Sequence, residues 1–264
     1  MRIALILLLT LLSCSFVEAT NWCNHANNQG CFLMEDSGTE SNESINSSDG
    51  LTVSAADTIP QDTDRKFGDY SRDFELGDAE YLTQGDSLST DISGANQSLS
   101  IVTWIKPESE GSGFRVIVSK YSTSSQRQYS FHHQSVADIM DFTISSNGTT
   151  TTSALGATGL TANGTTWYHV AAVYNDTDMR IYIDGVLDSN GANNPKAYTS
   201  GINDGTAAFM VGNRASTAAP YDGLIDDVGI FDTALSSTDV NAIMNLGLIP
   251  VSTASRKDRV MIIN

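Results

Sequence analysis

WYHVAAVYNDTDMRIYIDGVLD, residues 167–188, decides the fold class. Its first half, Trp167 to Tyr174, is almost continuously apolar, as expected of a strand buried on both faces. Its second half is the strongest hairpin signal in the chain. Ile181-Tyr182-Ile183 and Val186-Leu187 flank Asp184-Gly185, a pair suited to a type I′ turn because both central residues need positive φ. Two adjacent antiparallel strands, one with neither face polar, imply a layered β structure.

Working outward, the same grammar repeats. Ser98 to Lys106 alternates, with Leu99, Ile101, Thr103 and Ile105 on one face and Val102 and Trp104 on the other. Phe114–Tyr121, Tyr129–His132, Asp138–Ser145, Ala207–Gly212 and Gly223–Phe231 read as further strands. Asn147-Gly148, Asn163-Gly164 and Asn190-Gly191 punctuate them as turns. Upstream, Cys31–Met34 and Leu51–Val53 are short apolar runs, separated by a polar stretch from Glu35 to Gly50 that reads as a solvated loop. One helix is expected, over Leu235–Gly247. Ser236 or Ser237 caps it, Val240, Ile243 and Met244 form its apolar stripe, and Gly247 stops it. The expectation is an all-β antiparallel sandwich of two sheets with one short C-terminal helix.

The N-terminus reads as an export leader. Arg2 precedes an apolar run from Ile3 to Leu12, too short to span a bilayer and suited to a signal peptide. Two processing routes are open. Val17-Glu18-Ala19 offers a cleavage site before Thr20, and Leu11-Leu12-Ser13-Cys14 resembles a lipobox that would leave Cys14 as a lipid anchor. Either way Cys23 and Cys31 remain, and in an oxidising compartment they pair across a short polar loop. Zinc is disfavoured, since only His25 lies nearby and a structural site needs four ligands. The resulting layout is a signal peptide at 1–19, a Cys-containing segment at 20–30, one sandwich domain at 31–247 and a polar tail at 248–264. A mature chain of about 245 residues suits one sandwich.

The chain carries 14 basic and 31 acidic side chains, a net charge of −17. Such a surface repels phosphate backbones and anionic membranes, so nucleic acid is excluded as a partner. Acidity leaves carboxylates free for hard cations. Asn42, Asn46, Asn96, Asn147, Asn163 and Asn175 each begin an N-x-Ser/Thr sequon.

Four segments in order resemble the laminin-G-like jelly rolls of the concanavalin-A-like lectin/glucanase superfamily. They are Phe74–Leu82; Leu99–Pro107; Trp167–Ala171 with Ile181–Gly185; and Asp222–Phe231 with Ala234-Leu235-Ser236. Phe32–Gly38 is similar to the family's opening strand and loop. The resemblance spans about residues 31 to 247 and implies a two-sheet antiparallel jelly roll. It also implies calcium between the N-terminal strand region and the last strand, at Asp226 with Glu75 or Asp78. Alternation within Gly223–Phe231 groups Asp226 with Leu224, Val228 and Ile230 on the apolar face. A carboxylate there needs either a cation or several N–H donors. Asp227 is expected to point outward into solvent.

Catalytic residues are not expected. A glycosidase of this fold needs two carboxylates on one face, and the nearest pair, Asp138 and Asp141, alternates onto opposite faces. His132 and His133 likewise diverge, His169 reads as a core residue, and Trp104 and Trp167 lie in strongly apolar strands. Tyr198, Tyr221 and Arg214, in turn segments, are the expected exposed ligand-binding residues. The sequence is read as a secreted or cell-surface, non-catalytic carbohydrate- or glycoprotein-binding module, with calcium as its cofactor. The alternative is a structural subunit that self-assembles through the sandwich.

Overall fold

The computed structural model describes residues 21–248, apart from 37–38, 41–49, 54–58, 87–89, 110–112, 124, 135–136 and 216–218. The leader with its two processing routes, Asn42 and Asn46, and the tail beyond Leu248 lie outside the described residues. Six strands precede the long central ones: β1 (Asn28–Phe32), β2 (Thr39–Glu40), β3 (Leu51–Val53), β4 (Gln61–Asp62), β5 (Ser71–Phe74) and β6 (Leu82–Gln84). Then come β7 (Leu99–Pro107), β8 (Phe114–Tyr121), β9 (Arg127–Gln134), β10 (Ile139–Ile144), β11 (Thr152–Leu155) and β12 (Tyr168–Tyr174). The last are β13 (Asp178–Ile183), β14 (Val186–Leu187), β15 (Lys196–Ala197), β16 (Phe209–Val211) and β17 (Gly223–Phe231), followed by helix α1 (Ser237–Leu246).

The strands form two antiparallel sheets. One has nine strands, with the path β14-β13-β12-β7-β17-β5-β4 and with β1 on β17 and β15 on β13; the other has eight, ordered β11-β10-β9-β8-β16-β6-β3-β2. The chain crosses repeatedly between the sheets, as in a jelly roll.

The segment that decided the fold behaves as its residues require. Asp184 and Gly185 take φ of 47° and 76°, and Ile183 pairs with Val186 across the turn. On β12, Val170, Ala172 and Tyr174 enter the core between the sheets, while Ala171 and Val173 enter a second apolar cluster on the other side. Trp167 departs from expectation. It precedes the strand, is only partly buried, and its indole N–H donates to Asp64 Oδ1 at 2.9 Å.

The main core joins both sheets: Phe32 of one stacks on Phe209 of the other with centroids 5.8 Å apart. The second cluster lies on the outer face of the nine-stranded sheet. There Trp22, the Cys23–Cys31 disulfide and Val240 and Ile243 of α1 cover Val102, Ala171 and Tyr182. The helix starts where expected. Ser236 Oγ accepts from the Asp239 N–H while the Asp239 carboxylate accepts from the Ser236 N–H. Gly247 ends it at φ 75°.

Three sequon asparagines have a local structural use. Asn147, Asn163 and Asn175 each accept, through Oδ1, the backbone N–H of the threonine two residues on, at 2.9, 2.9 and 3.0 Å. Asn-x-Thr here builds Asx turns.

Candidate ligand-binding face

The outer face of the eight-stranded sheet carries a continuous row of polar side chains. Alternation on β9 and β10 sends Tyr129, Phe131, Met140, Phe142 and Ile144 into the core, so Ser130, His132, Asp141 and Thr143 take the other face. Register then sets His132 opposite Asp141 and Ser130 opposite Thr143. His132 Nε2 lies 3.3 Å from Asp141 Oδ2, and His132 Nδ1 lies 3.2 Å from Ser130 Oγ. The Thr143 hydroxyl donates to Asp141 Oδ1 at 3.1 Å and meets Ser153 Oγ at 2.8 Å. Sequence inspection missed this Ser130–His132–Asp141 grouping because it needs the β9–β10 register. Ser130 is 1% exposed, so its hydroxyl is not offered to a substrate as a nucleophile. Asp138 and Asp141 part to opposite faces as alternation requires: Asp138 approaches His133, at 4.0 Å, and Asp141 approaches His132.

Over this row lies a layer of aromatic and guanidinium groups. Phe114, 37% exposed, sets its ring edge-to-face against His132 at 4.6 Å. The Arg214 guanidinium lies 5.7 Å from the Phe114 ring and 5.4 Å from that of Tyr121. Arg127, the register partner of Tyr121, lies 5.5 Å from the same ring. These are cation–π distances. The turn that carries Arg214 is fixed from below. Ser119 Oγ donates to the Asn213 carbonyl at 2.9 Å, and Asn213 Oδ1 accepts from the N–H groups of Arg214 and Ala219 at 2.9 and 3.0 Å. Burial holds Arg214 below its ordinary pKa, opposed by Tyr121 and assisted by Arg127; a guanidinium stays charged regardless.

A β-bulge aims Phe114 outward. Simple alternation would group it with Val118, a core residue, but the ladder to β9 slips between Val116 and Val118. Val116 therefore faces His132 on the outer side, and Phe114 shares that side.

Of the three expected ligand residues, Arg214 belongs to this face and the tyrosines do not. The expected exposure of Tyr198 and Tyr221 is corrected: they are 8% and 1% exposed and belong to the main core. Tyr198 packs edge-to-face on Tyr174 at 5.5 Å and donates to the Gly201 carbonyl at 2.9 Å. A turn position fixes the backbone at the surface, and these long side chains fold back to fill the core.

The carboxylates expected to hold calcium lie on the other sheet, in two places. A bulge between Asp226 and Gly229, with Asp227 at φ 50°, breaks the alternation of β17. Asp226 therefore stands beside Trp104 on the outer face, while Val228 and Ile230 stay in the core. This corrects the expected grouping of Asp226 with those two. Asp226 is 0% exposed; its Oδ2 accepts the N–H groups of Lys66 and Phe67 at 2.8 and 3.1 Å, and its Oδ1 has no hydrogen-bond partner. Burial and the adjacent Asp227 raise its pKa well above the usual carboxylate range. Asp227, expected in solvent, is 5% exposed and accepts the Leu248 N–H at 3.2 Å. Lys66 lies over the Trp104 ring at 4.2 Å, and His169 packs edge-to-face on that ring at 5.2 Å. Burial pushes His169 down to about 3, so it is neutral.

Glu75 joins a different group. Ligand oxygens of Asp73, Glu75 and Glu108 lie within 4.8 Å of one another. Burial, then Glu108 and Glu75, push Asp73 up to about 6. Asp78 is exposed one turn on, its N–H donating to the Glu75 carbonyl at 3.3 Å. The β5–β17 register sets Asp226 level with the start of β5 and Glu75 beyond its end, about 13 Å apart at the usual strand rise. The three expected metal residues thus do not converge on one ion.

The family model Laminin_G_3, concanavalin A-like lectin/glucanases superfamily, matches residues 77–241. Among curated proteins, none matches. Among solved structures, the binding domain of Paraclostridial Mosquitocidal Protein 1 aligns with TM-score 0.63 at 13% identity, over 83% of this chain and 52% of that one. Domain 4 of AbnA, a GH43 extracellular arabinanase from Geobacillus stearothermophilus in complex with arabinotriose, aligns with TM-score 0.58 at 18% identity, over 83% and 98%. A structure of botulinum neurotoxin type C, whose cell entry depends on two ganglioside molecules, aligns with TM-score 0.57 at 16% identity, over 83% and 51%. The chain spans about half the length of the toxin domains it matches. At these identities the likeness is one of fold.

Proposed function

The chain belongs to the Laminin_G_3 family of the concanavalin A-like lectin/glucanases superfamily, and on that footing we propose that it is a non-catalytic carbohydrate-binding module of the cell exterior. The observation that carries the reading is Phe114, an exposed aromatic ring set above a hydrogen-bonded polar row and beside Arg214. Sugars present apolar C–H faces and rims of hydroxyls; an exposed ring with guanidinium groups beside it complements both. The arabinotriose complex of the AbnA domain and the ganglioside dependence of the type C toxin support the class of ligand. The Cys23–Cys31 disulfide, together with the leader-like N-terminus, supports export.

Calcium belongs to the proposal as a stabilising ion away from the sugar. The fit rests on Asp226: its unpartnered buried Oδ1 is the kind of oxygen a hard cation takes. Asp73, Glu75 and Glu108 form a second, more exposed carboxylate set. Bound calcium would neutralise these carboxylates, while sugar contacts stay with the opposite sheet.

A glycan array of the chain, run with calcium and with chelator, tests the reading. Binding to a defined glycan class that is lost in Phe114→Ala supports it, and a chelator effect confined to the melting temperature supports calcium as a structural ion. Absence of glycan binding in either buffer would contradict the reading and leave a self-assembling subunit as the alternative, visible by sizing and electron microscopy.

A further inference from the structure

We propose that the face centred on Tyr121 selects sugars bearing an anionic substituent, a carboxylate or sulfate ester, with Arg127 and Arg214 as its recognition groups. The inference rests on the carbohydrate-binding reading above and names the ligand class.

The chain has 14 lysines and arginines against 31 acidic residues. Lys106, Lys120 and Arg180 lie beside aspartate oxygens at 2.7, 2.6 and 2.6 Å, whereas Arg65, Lys66, Arg115 and Lys196 have no carboxylate at that distance among the described residues. Arg127 and Arg214 are set apart by sharing one aromatic ring, that of Tyr121. Among the described residues neither has a carboxylate within ion-pair distance, and Nε of each is buried without a hydrogen-bond partner. Arg127 donates from Nη1 to the Thr149 carbonyl. No side-chain hydrogen bond of Arg214 is formed to any described residue.

Both guanidiniums are nevertheless held in place. They pack on the ring of Tyr121 at 5.5 and 5.4 Å, and Arg214 extends to Phe114 at 5.7 Å. Two like charges gathered on one ring repel, and stacking returns only part of that energy. An anion shared between them relieves the repulsion and fills the free N–H positions. The planar fork of arginine suits carboxylate and sulfate oxygens in pairs. The strongly acidic remainder of the surface works against adventitious anions, so a bound anion must come with other contacts. Phe114, as a stacking surface held against His132, supplies them.

The test is calorimetric binding of the full chain to oligosaccharides carrying uronate, sialate or sulfate groups, each beside its neutral counterpart. Tighter binding of an acidic sugar by about tenfold or more is expected, and the arm that responds identifies the substituent as carboxylate or sulfate. Arg214→Gln and Arg127→Gln should each erase that preference with the melting temperature kept, while Arg214→Lys should retain only part of it. Neutral sugars bound as tightly as acidic ones, or a preference that survives both glutamine variants, would overturn the proposal and leave the carbohydrate-binding reading intact. Failure of every sugar, acidic and neutral, would overturn both.

Discussion

The two sheets finish their outer faces in different ways. On the nine-stranded sheet, backbone covers backbone: the disulfide-tied segment around Trp22 and helix α1 bury Val102, Ala171, Val173 and Tyr182 in a second apolar core. On the eight-stranded sheet, the polar row is overlaid by side chains, Phe114, Tyr121 and Arg214, with Phe114 still 37% exposed. A face covered by apolar contacts contributes to stability. A face that gathers aromatic, charged and hydrogen-bonding groups under a partial cover is suited to exchange that cover for a ligand. The contrast assigns stability to one face and recognition to the other.

The largest effects should come from the covered face. Phe231 is 0% exposed and meets Trp22 edge-to-face at 6.3 Å, so Phe231→Ala should cost about 3–5 kcal/mol in denaturant unfolding. Phe114→Ala should cost under about 1 kcal/mol and abolish glycan binding. Equal stability losses for the two would erase the distinction between the faces.

Next in size is the disulfide. It closes a short segment, with Cys23 and Cys31 eight residues apart, and replacing both by serine should cost about 2–3 kcal/mol. Because it ties the cover to β1 of the nine-stranded sheet, away from the opposite face, sugar affinity at temperatures where the variant is folded should be unchanged.

A pH effect sharpens the contrast further. His169 is buried against Trp104 and pushed down to about 3, whereas an unfolded histidine titrates near 6.5. Between those values the unfolded chain binds the extra proton, so this contribution is complete above about pH 6.5 and is lost as pH falls toward 3. His169→Phe should flatten the fall in melting temperature over that window. An unchanged slope would show that His169 is not the group responsible.

Much of the fold was legible in local sequence, because the relevant signals are short-range. Asp184-Gly185 carries its own turn geometry, Ser236 and Gly247 bracket the helix, and Cys23 and Cys31 lie close enough to pair. Alternation misreads the bulge in β17 and says nothing of the one in β8. One in β8 turns Phe114 outward and one in β17 turns Asp226 away from the core. A single extra residue inverts the facing of everything on one side of it, and the slip in β8 is marked by neither a proline nor a glycine. The Ser130–His132–Asp141–Thr143 row was hidden for another reason: it exists only through the register of two strands. Arg214 was legible as a turn cation. Tyr198 and Tyr221 were misplaced because a turn in the backbone does not decide where a long side chain packs.

The division between the faces is tested most directly by amide hydrogen exchange on the full chain, with and without a bound oligosaccharide. Protection confined to residues 114–121, 127–134, 139–144 and 213–215 is the expected result. Protection appearing instead around residues 64–70 and 224–228, on the opposite sheet, would contradict it.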